Sequence, residues 1–206
     1  SWVAADGNGR DVSGYTVTAS PGGASCSTAT TSCTVTGLSN GAEYTFSVVA
    51  TNEVGDGSAG VSNAVTPFTV PDAPTGVSVV RGDQSISVSW TAPASDGGSV
   101  INDYKVEYST NSGATWLVFA DGVSTATSAT ITGLVNGVSY IVQVSAVNAA
   151  GSGAPGVSGA MVPAGVPFAP SNVSAIAGAA ESTVSWVAAD GNGRDVSGYT
   201  VTASPG

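Results

Sequence analysis

Residues 1–22 read SWVAADGNGRDVSGYTVTASPG, and residues 185–206 repeat those 22 letters without a mismatch. The offset from Ser1 to Ser185 is 184 residues, so the chain is periodic at that spacing. Repeats are sought first because each one is a structural unit, and missing it misreads the whole architecture. The stretch also holds the grammar of the fold. Trp2 and Val3 read as the end of a strand, Asp6-Gly-Asn-Gly-Arg-Asp11 is a turn cluster, and Tyr15, Val17 and Ala19 alternate with Thr and Ser. Alternation with a period of two places one row of side chains on each face, the mark of a half-buried strand.

The same grammar runs outward from it. Tyr44, Phe46, Val48 and Ala50 alternate, as do Ile86, Val88 and Trp90, and Tyr140, Val142, Val144 and Ala146. Tyr104, Val106 and Tyr108 alternate with Asp103, Lys105 and Glu107, which places the aromatics in and the charges out. Cys33–Leu38 and Ala129–Leu134 read as strands running into Gly-Leu corners, Thr115–Ala120 as a strand, and Val61–Thr66 as a last strand. Pro67–Pro74 and Pro163–Pro170 are Pro-rich linkers of the stiff, extended kind. No helical period of useful length is present. Seven short strands per unit, with a turn about every 8 to 12 residues, predict an all-β chain of tandem antiparallel β-sandwiches.

Composition removes several functions. Charged residues are 9% and the net charge is −10, with four Lys and Arg in all. Nucleic acid needs a basic surface to displace counterions, and an anionic membrane needs one too. No apolar run approaches the roughly 18 residues of a spanning helix. The sequence has no His, so Ser-His and Cys-His nucleophile pairs are impossible. Its one Lys, Lys105, is expected on an outward strand face. No catalytic residue, cofactor or metal is assigned on these grounds.

The motifs resemble the fibronectin type III domain. Ser87-Val-Ser-Trp90 and Ser185-Trp186 match its second strand, and Tyr104, Tyr15 and Tyr199 its third. Ile131-Thr-Gly-Leu134 and Val35-Thr-Gly-Leu38 match its fifth strand and corner. Asn136-Gly-Val-Ser-Tyr140 and Asn40-Gly-Ala-Glu-Tyr44 match the start of the sixth. The wording looks like tandem versions in bacterial secreted and surface proteins. The resemblance implies seven-stranded immunoglobulin-like sandwiches in a 184-residue, two-domain repeat. Residues 1–69 would be the C-terminal part of one domain, 70–166 a complete domain, and 167–206 the N-terminal part of the next copy of the first. The chain is then either a window on a longer array or a subunit whose open half is completed by a neighbour's strands. Trp2, Trp90, Trp186, Tyr44, Tyr140, Leu38 and Leu134 are the expected core anchors, the tyrosines tying their hydroxyls back to backbone.

Other candidates carry two readings each. Cys26 and Cys33 fit a short-range disulfide across a hairpin and an oxidising compartment, or two free thiols. Asp6, Asn8 and Asp11 place oxygens at alternating positions as in a calcium loop, or form a plain Asn/Asp-Gly turn. Arg81-Gly82-Asp83 is the integrin-read triplet or a chance Gly-Asp turn, and Asn172-Val-Ser174 is a glycosylation sequon. Trp116, with Leu117 and Phe119, is a stacking surface for sugar, a contact with a neighbouring domain, or core packing at a sheet edge. Phe68 and Phe168, at equivalent places in the two linkers, are expected as interdomain plugs.

The functional expectation is a non-catalytic structural repeat of a long extracellular or cell-surface fibre, filament or adhesin. Its partners would be identical repeats or neighbouring chains, with no nucleic acid, no membrane insertion and any glycan or surface ligand unspecified. The alternative is a spacer or carbohydrate-binding accessory module of a secreted polysaccharide-degrading enzyme.

Overall fold

The structure, a computed structural model, describes residues 1–204; Pro205 and Gly206, at the end of the expected third segment, lie outside the described residues. All regular elements among the described residues are strands. The chain divides into two compact units. The first is Ser1–Pro71 with Ser95–Val100 and Asn148–Gly151, and the second is Asp72–Ala94, Ile101–Val147 and Ser152–Gly206.

The first unit holds β1 (Gly14–Ser20), β2 (Ser25–Thr28), β3 (Thr45–Asn52), β4 (Gly55–Asp56) and β5 (Gly60–Val61). They form one antiparallel sheet in the order β2-β1-β3-β4, with β5 also on β3. β1 runs along β3 in the register Tyr15↔Ala50, Val17↔Val48 and Ala19↔Phe46. The period-two pattern therefore stacks all its apolar side chains in one row, and Tyr15, Val17 and Ala19 are buried. Residues 33–36, expected as a strand, form none. A strand is held by a neighbour's hydrogen bonds, and this stretch has no such ladder. What ties it down is the Cys26–Cys33 disulfide to β2. The expected last strand, Val61–Thr66, shrinks to β5 and a single Tyr44↔Val65 bridge.

From β6 to β13 the sandwich is complete. Its strands are β6 (Thr75–Gly82), β7 (Ser85–Thr91), β8 (Asp103–Ser109), β9 (Leu117–Val118), β10 (Ser128–Thr132), β11 (Ile141–Asn148), β12 (Gly151–Ser152) and β13 (Gly156–Val157). One sheet is β10-β7-β6, the other β12-β11-β8-β9 with β13 also on β11. Here the counterpart of residues 33–36, β10, does form, because β7 pairs with it at Ile131↔Ile86 and Ala129↔Val88. Ile86, Val88, Trp90 and Ile131 from one sheet close on Tyr104, Val106, Val142 and Val144 from the other. Glu107, expected outside, is buried, capped by Lys105 at 2.7 Å and by the Gln143 amide at 2.7 Å. The expected strand Thr115–Ala120 is reduced to β9.

Two further strands, β14 (Ser171–Ala177) and β15 (Ser182–Val187), pair only with each other. Ser174 and Ser185 hydroxyls meet at 2.9 Å across them, as Ser78 and Ser89 do between β6 and β7. Val173, Ile176 and Val187 are exposed. The third strand expected in this segment, around Tyr199 and Val201, is not formed.

Candidate functional site

Each of the two linkers is held by several hydrogen bonds, and the residues that hold them come from the same motifs. Tyr44 lies at the foot of β3, and its hydroxyl accepts the Ser39 N–H at 3.0 Å. Tyr140, at the foot of β11, accepts the Val135 N–H at 3.1 Å. Each bond pins the loop before it, and so fixes the following Asn-Gly pair. Gly41 and Gly137 sit there at φ 80° and 83°, a conformation cheap only for glycine. Their N–H groups point at the linkers: Gly41 donates to the Pro67 carbonyl at 2.9 Å, Gly137 to that of Pro163 at 3.0 Å.

The other side of each linker is held as well. In the second unit, Asn192 (φ 51°) and Gly193 (φ 96°) form a tight turn. The Asn192 carbonyl accepts from Gly165 N–H at 3.0 Å, and its side-chain amide donates to the Val166 carbonyl at 3.1 Å. Asn136 Nδ2 donates to Asn192 Oδ1 at 2.7 Å and to Asp83 Oδ1 at 2.6 Å, while Asn136 Oδ1 accepts from Gln84 N–H at 2.8 Å. A Cβ on Gly193 would stand 2.6 Å from the Gly137 nitrogen and 2.7 Å from the Pro163 oxygen, so no larger residue fits. The first unit repeats the scheme. Thr69 N–H donates to the Gly97 carbonyl at 2.9 Å, and Asn148 Nδ2 donates to the carbonyls of Thr69 and Asp96, both at 2.7 Å. A Cβ on Gly98 would collide with the Gly41 nitrogen. Each such hydrogen bond contributes about 1 kcal/mol, which offsets part of the cost of ordering the linker residues.

These contacts also set the register between the two linkers. Pro67 and Pro163 take the same bond, which places Phe68 where Ala164 stands and Phe168 where Asp72 stands. Phe68 and Phe168 are thus not equivalent, and they are 50% and 61% exposed rather than plugged into a joint. Backbone and amide hydrogen bonds hold the linkers where aromatic packing was expected. The Asn-Gly pairs were visible in the sequence as turns; their second role needed the linker to be in place.

The other expected residues fall as follows. Trp90, Tyr44, Tyr140 and Leu134 are buried, and Trp2, Trp186 and Leu38 are half-buried. Trp2 and Trp90 lie edge-on against Tyr15 and Tyr104, both at 5.3 Å between centroids, and Trp186 lies tilted against Tyr199 at 5.2 Å. Burial raises the Tyr104 phenol above its ordinary value. Asp6 Oδ1 accepts the Asn8 N–H at 2.9 Å, which is an Asx turn, while Asp11 takes no part in that bond. No group of three or more His, Cys, Asp or Glu converges among the described residues. Asp83, of the Arg-Gly-Asp triplet, is engaged by Asn136. Trp116 is half-buried, its ring against Gly113.

One groove stands apart. It measures about 560 Å³ on the first unit, and its lining includes Trp2, Tyr15, Val17, Phe46, Val48 and Val61. Phe46 and Val48 are half-buried there, whereas Val142 and Val144, their counterparts on β11, are fully buried.

The family model described as Fibronectin type III domain matches residues 1–67 and 72–158. The chain belongs to the fibronectin type III family. Among curated relatives, it is 36% identical over 125 residues to a Kelch domain-containing protein of Saccharolobus solfataricus, covering 61% of this chain and 17% of that one. It is also 36% identical over 162 residues to chitinase A1 of Niallia circulans, covering 74% of this chain and 21% of the relative. The chain thus spans about a fifth of the length of these two relatives. Among solved structures, a run of domains from titin superposes with a TM-score of 0.51 at 28% identity, over 71% of this chain and 53% of that one. Both fibronectin type III segments share the corner tyrosine and the Asn-Gly pair that binds the linker after it.

Proposed function

We propose that the chain is a non-catalytic structural stretch of a long extracellular array, a fibre, filament or adhesin stalk of fibronectin type III domains. The observation that carries this reading is the recurrence of one linker clamp at both joints, set within a chain that repeats itself at 184 residues. A linker held by the same motif in each repeat suits an array, and arrays of this kind are stable through nearest-neighbour contacts. The Cys26–Cys33 disulfide supports an oxidising, extracellular setting. A chain with only 9% charged residues has few charges to guard its sheet edges, which supports side-by-side association with identical repeats.

The test is electron microscopy of the native material with the axial repeat measured. A continuous fibre with a period of two sandwich domains is expected; short discrete particles would overturn the array. A second reading, an accessory module of a polysaccharide-degrading enzyme, is favoured by the similarity to chitinase A1. Retention of the chain on insoluble chitin would move the weight to that reading.

A further inference from the structure

We infer that β10 of the complete sandwich is a pairing edge for a second copy of this chain, β10 joining β10 antiparallel about a two-fold axis at Thr130. β10 stands at the margin of the β10-β7-β6 sheet and pairs with β7 alone. In an antiparallel ladder, successive residues turn their N–H and C=O groups to opposite sides. The Trp90 N–H donates to the Thr127 carbonyl at 3.0 Å, which sets the phase of the alternation. Ala129 and Ile131 therefore bond to β7, while Ser128, Thr130 and Thr132 turn their backbone groups away from it. These three residues are exposed.

Sheets guard such edges with charge, proline, a bulge or a very short strand. The other edges of this sandwich follow that rule. β6, at the far margin of the same sheet, has a bulge between Thr75 and Ser78 and carries Arg81. β9, β12 and β13 are two residues each. β10 has five residues in unbroken register and no proline. Nor is charge close along the chain: no Asp, Glu, Lys or Arg stands between Asp121 and Glu181. The occupant follows from the order of residues within the strand. Ser128-Ala-Thr-Ile-Thr132 reads nearly the same from either end. Turned about Thr130, Ser128 faces Thr132 of the other copy, Thr130 faces its twin, and Ala129 faces Ile131. That register brings the outward backbone groups of both strands together. It also keeps the hydroxyls on the solvent side and the apolar side chains on the core side. The same hydroxyl pairing holds within the sheet, Ser87 to Thr130 at 3.4 Å and Ser78 to Ser89 at 2.9 Å. Two three-stranded sheets thus become one continuous sheet.

This inference rests on the array reading, for which it names the surface of side-by-side association, and the two fail separately. One strand of five residues makes a weak contact, and an array multiplies it at every period. The experiment is sedimentation of the 206-residue chain over a concentration series, with single-cysteine variants run on non-reducing gels. Two-fold pairing closes on itself, so a monomer–dimer equilibrium that stops at the dimer is expected. Thr130→Cys is trapped as a covalent dimer, because the axis brings its Cα to about 5.5 Å from its twin's, within disulfide reach. Ser87→Cys, on the same face one strand further in, is not trapped. Thr130→Pro removes an outward N–H that the β7 ladder does not use, and it abolishes the dimer. Thr130→Lys sets like charges face to face and abolishes it with the backbone unaltered. Circular dichroism that stays β-rich in Thr130→Lys separates lost pairing from lost folding. A chain that stays monomeric at every concentration overturns the interface. So does a dimer that persists in Thr130→Lys, or equal trapping of Ser87→Cys. Each of these results leaves the fibre reading to its own microscopy.

Discussion

Residues 14–20 and 198–204 are the same seven letters, GYTVTAS, and they have different structures. The first is β1, laid along β3 from Gly14↔Thr51 to Ser20↔Thr45. The second is not a strand. Tyr15 and Val17 are 6% and 4% exposed; Tyr199 and Val201 are 40% and 58% exposed. What does survive in both places is local. Asp190 Oδ1 accepts the Asn192 N–H at 2.8 Å, as Asp6 does for Asn8 at 2.9 Å. The Tyr199 hydroxyl accepts the Ala189 N–H at 2.9 Å, as Tyr15 does for Ala5 at 3.1 Å. Short-range chemistry writes the turn and the Trp–Tyr pair. The alternating pattern writes only the capacity to be a strand, which a partner edge then realises.

The comparison can be broken most forcefully by giving residues 33–36 a strand to pair with. Fusing Ser171–Val184 ahead of Ser1 gives the half-sandwich its hairpin; burying two or three more large apolar side chains is worth several kcal/mol at about 1.5–3 kcal/mol each. The expected result is a clear rise in the thermal midpoint of the first unit, with residues 33–36 gaining amide protection. Next in size, Val17→Asp buries an unpaired carboxylate and costs about 3 kcal/mol or more, whereas Val201→Asp, at the identical letter, stays within about 0.5 kcal/mol in denaturant titrations. Gly193→Ala costs more than Gly9→Ala. Both force alanine to a positive φ, at about 1 kcal/mol, but only at Gly193 does the new methyl meet the Gly137 and Pro163 backbone. Raising the pH above 10 gives a smaller loss. Folded Tyr104 holds its proton more tightly than the unfolded chain, so its contribution is complete below the unfolded value and fades through the higher folded one.

Much of the fold was legible because alternation and turns are short-range signals. Tyr15–Ala19, Ile86–Trp90 and Val142–Ala146 read as strands from their period alone and lie on strands, while Tyr140 sits one residue ahead of β11 in a bridge to Met161. The failures share a cause. Cys33–Leu38 and Tyr199–Val201 have the pattern but lack a neighbour, so the ladder does not form. The linker clamp was legible only in part. Asn40-Gly41, Asn136-Gly137 and Asn192-Gly193 announce turns, yet nothing in their spacing says that they hold Pro67, Pro163 and Val166. Phe68 and Phe168 misled for the opposite reason: large apolar residues in a linker suggest burial, and here they face outward.

The most direct test is amide exchange by NMR on a segmentally labelled chain, so that the twin stretches give separate signals. The account predicts protected amides across Tyr15–Ala19 and near-unprotected exchange across Tyr199–Ala203 in the same sample. Equal protection in the two would contradict it, because identical letters would then be making the strand without β3.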